Sequence, residues 1–386
     1  RLLDAWTVSG TSLDDFKKEI SALDKATLCM QVTLEDLEFF SVVDGNEDTI
    51  RLHVYNAQKL SEVPVRSKIV KSDSAKRGTD PELINELERK SKLMLRYGKG
   101  VLFTSPRLSR DLASRAELSG DAVYDPTEER SRYILSRYAK NAKSSDARKK
   151  IGQMIVRISG SCCKVFALAG KDYAYLKQSA LLHVLALLSE EFGEVRCRKW
   201  RMDNFLTQLW VEFPDKAEDI AKTCGLKESL IPGMLLETSD TGDSSITCTV
   251  LWRSKEGRYV HGEHYARKHY GKVDWTAIGK GITKLFDAYT KLPDRLCELA
   301  LLEIKRPAEC IINALRKSKV SVIGKRRTMT LEEQLSSMFS AEETYTGYDI
   351  AQMLLCLPDW ISADADAELL KAMSEICYKA VFVDFE

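Results

Sequence analysis

Apolar residues in this chain recur mostly at intervals of three and four, the spacing that lines one face of a helix. One-for-one alternation is confined to short stretches. The clearest lies near the start, where Ile50, Leu52 and Val54 interleave with Thr49, Arg51 and His53. Residues 39–43 precede it across Asp44-Gly45-Asn46, and alternation around a D-G turn predicts a β hairpin. A second short strand is expected from Thr247 to Trp252. Residues 61–78 read as extended and basic, with Pro64 forbidding an early helix.

Helix boundaries are marked by caps and breakers. Ser12 or Thr11 caps a helix reaching Leu23, and Asp80-Pro81 opens one that runs to Tyr97 and stops at Gly98. Asp125, Pro126 and Glu128 supply an N-cap, a first-position proline and a capping carboxylate, so a helix starts at Pro126 and breaks at Ser144-Ser145. Residues 151–169, rich in Ile, Val, Ala and Cys, begin the core. Cys162-Cys163 sits in that stretch on what reads as an apolar helix. Asp172 opens a helix to Phe192, closed by Gly193. Leu176, Ala180, Leu181, Val184, Leu185, Leu187 and Leu188 cover most of its circumference. A helix apolar nearly all round belongs inside a bundle, with His183 as a core histidine. Met202 to Phe213 reads as a helix stopped by Pro214. Asp274 caps another to Leu292, Pro293 and Pro307 punctuate two more, and Thr330 with Glu333 forms a capping box. Tyr348 to Leu355 and Asp366 to Ala380 are the last helices. The polar run Ser239 to Ser245 is the expected hinge.

The expected fold is therefore mainly α, two-lobed, with a small N-terminal β hairpin. Residues 1–24 would form an arm, 25–240 an N-terminal lobe, 246–380 a C-terminal lobe and 381–386 a tail. A length of 386 residues suits two or three domains. Lys and Arg total 58 against 57 Asp and Glu, so any anion-binding surface must be local and offset by acids elsewhere. The ten cysteines include no C-x-x-C pair, which points to free buried thiols in a reducing compartment. No apolar run approaches the ~18 residues of a membrane span, and no signal-peptide pattern is visible.

Catalytic signatures are missing, and the expectation is a protein that is not an enzyme and carries no cofactor or metal. Gly279-Lys280-Gly281 lacks the spacing of a phosphate-binding loop and sits inside a helical pattern, where a packing glycine pair is the simpler reading. His261, His264 and His269 do not form H-E-x-x-H. There is no G-x-S-x-G, and Glu190-Glu191 reads as helix surface.

What remains is clustered positive charge with aromatic residues interleaved. Arg130, Arg137 and Lys140 share one helix stripe with Tyr133 and Tyr138 nearby. Arg132, Lys149 and Lys150 add to that charge, and between Arg130 and Lys150 the sole acid is Asp146. Arg198, Lys199 and Arg201 surround Trp200. A third stretch holds Arg253, Arg258, Arg267 and Lys268 among several tyrosines and histidines. A fourth holds Lys317, Lys325 and Arg326. Such runs are often plain solvated faces. They also suit a nucleic-acid strand, because Arg forks grip phosphate and aromatic rings stack on bases.

In size, helical pattern, a basic helix before a central apolar stretch and a second basic region in the C-terminal half, the chain resembles the nucleoproteins of nonsegmented negative-strand RNA viruses, rhabdoviruses included. SCCKVFALAGKDYAYLKQSALLHVL, Ser161 to Leu185, carries most of the likeness. The resemblance implies two helical lobes clamping single-stranded genomic RNA through those cations. It also implies self-assembly into a nucleocapsid by exchanged terminal arms, a polymerase or phosphoprotein as further partner, and residence in the virion and host cytoplasm. The rival expectation is a helical interaction scaffold whose clusters meet acidic proteins or membrane lipids, and a third is an enzyme whose site is assembled from dispersed residues.

Overall fold

A computed structural model describes residues 2–46, 49–55, 60–65, 93–97, 100–115, 137, 140–159, 162–214, 231–242, 246–253, 257, 259–268, 274–317, 333, 335–339, 343–361 and 380–385. In chain order, β1 (Thr7–Gly10) leads through α1 (Leu13–Ala26) into β2 (Thr27–Thr33), β3 (Leu37–Asn46), β4 (Thr49–Tyr55), β5 (Leu60–Val65), β6 (Leu93–Tyr97) and β7 (Gly100–Thr104). Next come α2 (Pro106–Arg115), α3 (Ala147–Lys150), β8 (Ile151–Ser159), β9 (Cys162–Gly170) and α4 (Ala180–Phe192). Then follow β10 (Arg196–Asp203), β11 (Thr207–Glu212), β12 (Ile231–Thr238), β13 (Ile246–Arg253) and β14 (Tyr259–Arg267). The C-terminal part holds α5 (Trp275–Phe286), α6 (Ala288–Leu301), β15 (Glu303–Ile304), α7 (Pro307–Lys317), β16 (Tyr345–Thr346) and α8 (Gly347–Ile361).

The protein is mixed α/β, not mainly helical. One sheet has six strands in the order β1-β10-β11-β12-β13-β14, all antiparallel. A second has eight in the order β2-β8-β9-β7-β6-β3-β4-β5, antiparallel except where β7 runs parallel to β9. β15 and β16 form a small third sheet. The expected hairpin exists as β3 and β4, paired from Phe39–Tyr55 to Asn46–Thr49, but it is one part of the larger sheet.

The helical expectation fails at particular places for a common reason. Residues 151–159 and 162–169, Cys162-Cys163 included, lie on the paired strands β8 and β9, and residues 202–203 and 207–212 lie on β10 and β11. β8 carries a register shift between Ile155 and Val156, and Met154 to Arg157 are all buried. A strand enclosed on both faces loses its period of two, so its sequence resembles a buried helix. Residues 93–97 are likewise a strand and not the end of a helix.

Several local expectations hold. Ser12 caps α1, its hydroxyl accepting from the Asp15 amide at 3.2 Å. Asp274 caps α5 through the Ala277 amide at 3.0 Å. Gly193 closes α4 at φ 78°, a backbone angle that favours glycine. Others do not. α4 buries Ala180, Leu181, Val184, Leu185, Leu188 and Phe192 and packs as one layer beside the six-stranded sheet, while His183 and Leu187 are exposed. His183 is thus no core histidine; its ring lies 5.3 Å from that of Trp275. α6 runs through Pro293, and Cys297 is disulfide-bonded, against the expectation of thiols throughout. Segment Ser239 to Thr241 is buried, and the strands on either side of it, β12 and β13, pair with each other. It is therefore the turn of a hairpin and not a joint between lobes. The Asp80–Pro81 and Pro126 helix starts, the Thr330 cap and most of 366–380 lie outside the described residues.

The six-stranded sheet uses its two faces differently. Trp200, Met202, Leu209, Val211, Met234, Leu236, Cys248, Val250, Trp252 and Val260 pack with the helices in one apolar core. Gly281 permits the closest approach, since a Cβ there would stand 2.1 Å from the Tyr265 ring on β14. The neighbouring Gly279 meets nothing within 4 Å, so the packing reading of the pair holds for Gly281 alone.

Candidate nucleic-acid interface

The other face of the six-stranded sheet is where two of the basic stretches meet. On β11, Leu209 and Val211 point into the core, so Gln208, Trp210 and Glu212 point out. Register then fixes their neighbours: Arg201 opposite Gln208, Lys199 opposite Trp210 and Arg196 opposite Glu212. A bulge between Cys197 and Lys199 adds an extra residue, and Arg196, Arg198, Lys199 and Arg201 are all exposed.

This face is concave. β10 and β14 are four strand spacings apart, which is roughly 19 Å in a flat sheet. Yet the Lys199 ammonium lies 4.4 Å from the centre of the Trp210 ring on β11 and 5.6 Å from that of Tyr259 on β14. The positive charge of Arg198 is also close enough to act on the Tyr259 phenol, whose pKa it lowers against the stronger effect of burial. Gly233 on β12 makes this possible. A Cβ there would sit 2.3 Å from the Val211 carbonyl oxygen, and the bare backbone leaves room for Glu212 on β11 to meet Arg253 on β13. The sheet therefore curls at the end bearing Arg196, Glu212, Arg253 and Tyr259.

Electrostatics sort the cations in this corner. Arg253 forms a bidentate pair with Glu212, with Nε on Oε1 and Nη2 3.2 Å from Oε2. That hydrogen bond raises the Arg253 pKa further, so its charge is already matched inside the protein. Burial, then the Glu212 carboxylate, raises the Tyr259 phenol above its ordinary value, so the ring stays neutral. Arg196 has Glu194 at 3.2 Å and Arg201 has Asp203 at 3.8 Å, both exposed pairs that an arriving phosphate can displace. Lys199 lies against the two rings. The corner thus presents exposed cations over two aromatic side chains, enough to hold an anionic strand by its backbone and its bases.

The remaining predicted residues lie elsewhere. Lys149 is exposed and Lys150 half-buried on α3, at the start of β8. Arg137 is half-buried and Lys140 exposed in the helical residues before them. Arg267 and Lys268 are exposed at the far end of β14, eight residues from Tyr259 and so about 26 Å along the strand. Lys317 is the last residue of α7. Arg130, Arg132, Arg258, Lys325 and Arg326 lie outside the described residues. The structure brings Arg198, Lys199 and Arg201 together with Arg253 and does not join them to Lys149 and Lys150.

One ring of the corner is absent from the sequence-based set. A helix over Met202 to Phe213 hides Trp210, although TQLWVE alternates cleanly and places it on the face opposite Leu209 and Val211. Among the described residues, no group of three His, Cys, Asp or Glu side chains is placed to hold a metal ion. No described helix is long and apolar enough to cross a membrane. The chain matches no protein-family model, no curated protein and no solved structure.

Proposed function

We propose that the protein binds single-stranded nucleic acid, without sequence preference, on the curled outer face of the six-stranded sheet. One observation carries this reading: exposed Lys199 on β10 reaches over three intervening strands to the Tyr259 ring on β14, with Trp210 beneath it. A duplex hides its base faces, whereas a single strand offers them to Trp210 and Tyr259 while its phosphates meet Arg196, Arg198, Lys199 and Arg201. The helical clamp implied by the viral nucleoprotein likeness has no counterpart in two large sheets. Encapsidation of genomic RNA stands here only as one use of such a surface. The arm expected to exchange between protomers is engaged at home: β1 pairs with β10, and Leu2 is buried.

Ultraviolet cross-linking of the full chain to a uridine oligonucleotide, followed by peptide mapping, tests the proposal. Adducts should fall on peptides holding Trp210 and Tyr259. Adducts confined to other peptides, or none, would overturn it. Retention of acidic peptides in the absence of RNA adducts would favour the protein scaffold instead.

A further inference from the structure

The two large sheets do not share a core. The six-stranded sheet packs with α1, α4 and the C-terminal helices in one apolar cluster, and the eight-stranded sheet packs with α2 in another. The chain passes between these units at two adjacent crossings. At the first, α1 runs directly into β2 at Thr27; at the second, residues 171–179 lead from β9 to α4. Asp24 ties the crossings together, its two carboxylate oxygens accepting from the Gln178 amide at 2.9 Å and the Ser179 amide at 3.1 Å.

What lies between the units at this place is charged and polar around one ring contact, the buried Phe166 with Phe205 at 5.9 Å. Three cations of the eight-stranded unit meet acceptors of the other. Arg157 Nη2 donates to Asp240 Oδ1 at 3.0 Å and to the Asn204 carbonyl at 2.6 Å. Lys164 Nζ donates to Asp4 Oδ1 at 2.9 Å, and Arg107 Nη2 to the Thr241 carbonyl at 3.4 Å. Tyr173 donates its phenol proton to the Asp240 carbonyl at 2.8 Å. Arg157 and Asp240 are fully buried. Arg157 Nε, Asp240 Oδ2, Asn204 Oδ1, Gln178 Nε2, Thr238 Oγ1 and the Tyr175 phenol oxygen are buried and have no hydrogen-bond partner in the protein.

We infer that this seam is a hinge, about which the two sheet units rotate, held closed by the Arg157–Asp240 and Lys164–Asp4 pairs. Separating an apolar interface exposes its side chains to water and is steeply unfavourable. Separating this one exposes the Phe166–Phe205 contact but returns four charged groups to water, which recovers their desolvation. Each unit keeps its own core through the motion, and no strand pairing links the two large sheets, so both sheets stay intact.

Single-molecule energy transfer on the full chain tests this, with dyes carried by unnatural amino acids at exposed Glu35 and Glu190, one on each unit. The wild type should show a broad or two-state distribution. Arg157→Met combined with Asp240→Leu should narrow it to the closed value, and Asp4→Asn should raise the open fraction severalfold. A single narrow distribution in the wild type that Asp4→Asn leaves unmoved would overturn the hinge. Because the wild type and Asp4→Asn decide the matter, the proposal does not depend on the double variant folding.

Discussion

Two cationic sites of the protein are built from the same side chains and treat them in opposite ways. At the seam, Arg157 is sealed from water and committed to Asp240, Asn204 and Thr27. On the curled sheet face, Arg198 and Lys199 are exposed, and Lys199 rests on two aromatic rings. Arg253 lies in that same corner yet belongs with Arg157 in kind, because Glu212 already neutralises it. A tally of cations in a stretch therefore says little about binding. What decides is whether the fold supplies each with an internal carboxylate.

Breaking the seam should have the largest effect. Arg157→Met alone leaves Asp240 buried without its charge partner and should cost roughly 3–5 kcal/mol in chemical denaturation, whereas adding Asp240→Leu should restore most of it. Neither change should alter affinity for a uridine oligonucleotide. Next is Gly233→Ala, whose Cβ would meet the Val211 carbonyl, a backbone atom that cannot swing aside. It should cost about 1–3 kcal/mol in stability and weaken binding as the curl opens.

Trp210→Ala should weaken oligonucleotide binding by about 1–3 kcal/mol, measured by fluorescence anisotropy, through loss of a stacking ring. Lys149→Glu, a charge reversal at the start of a strand in the other sheet, should leave that affinity nearly unchanged, which separates the face from the rest of the basic surface. A separate effect, confined to high pH, concerns Cys248, whose thiol burial pushes up to about 12 from 9.0. The folded state keeps the proton that the unfolded chain loses first. Stability from this group is therefore full below about pH 9 and falls as pH rises towards 12. Iodoacetamide at a pH of about 8, below the thiol's ordinary range, should spare Cys248 until the protein unfolds.

How much of this was legible in the sequence depends on how each element is buried. Signals written in single residues came through: the Ser12 and Asp274 caps, the Gly193 stop, Pro307 at a helix start, and the alternation of β4. Strands sealed on both faces did not. β8 is buried from Met154 to Arg157 with no period of two, and bulges in β8 and β10 break what alternation exists. The site was half legible. Residues 196–201 and the stretch around Arg253 stand out locally as basic and aromatic. That they meet depends on a four-strand curl set by Gly233, a tertiary fact with no local signature. Arg157 and Lys164, the cations that hold the seam, sit singly among apolar residues, and nothing local marks them as ionic partners of Asp240 and Asp4.

The most direct test of the account is the salt dependence of single-strand binding, comparing the wild type with Arg198→Glu combined with Lys199→Glu. Log affinity for a uridine oligonucleotide should fall linearly with log salt for the wild type. The double variant should bind more weakly, with a slope reduced by roughly 0.7 for each phosphate that the protein no longer neutralises. Equal slopes and equal affinities for the two proteins would contradict the placement of nucleic acid on the curled face.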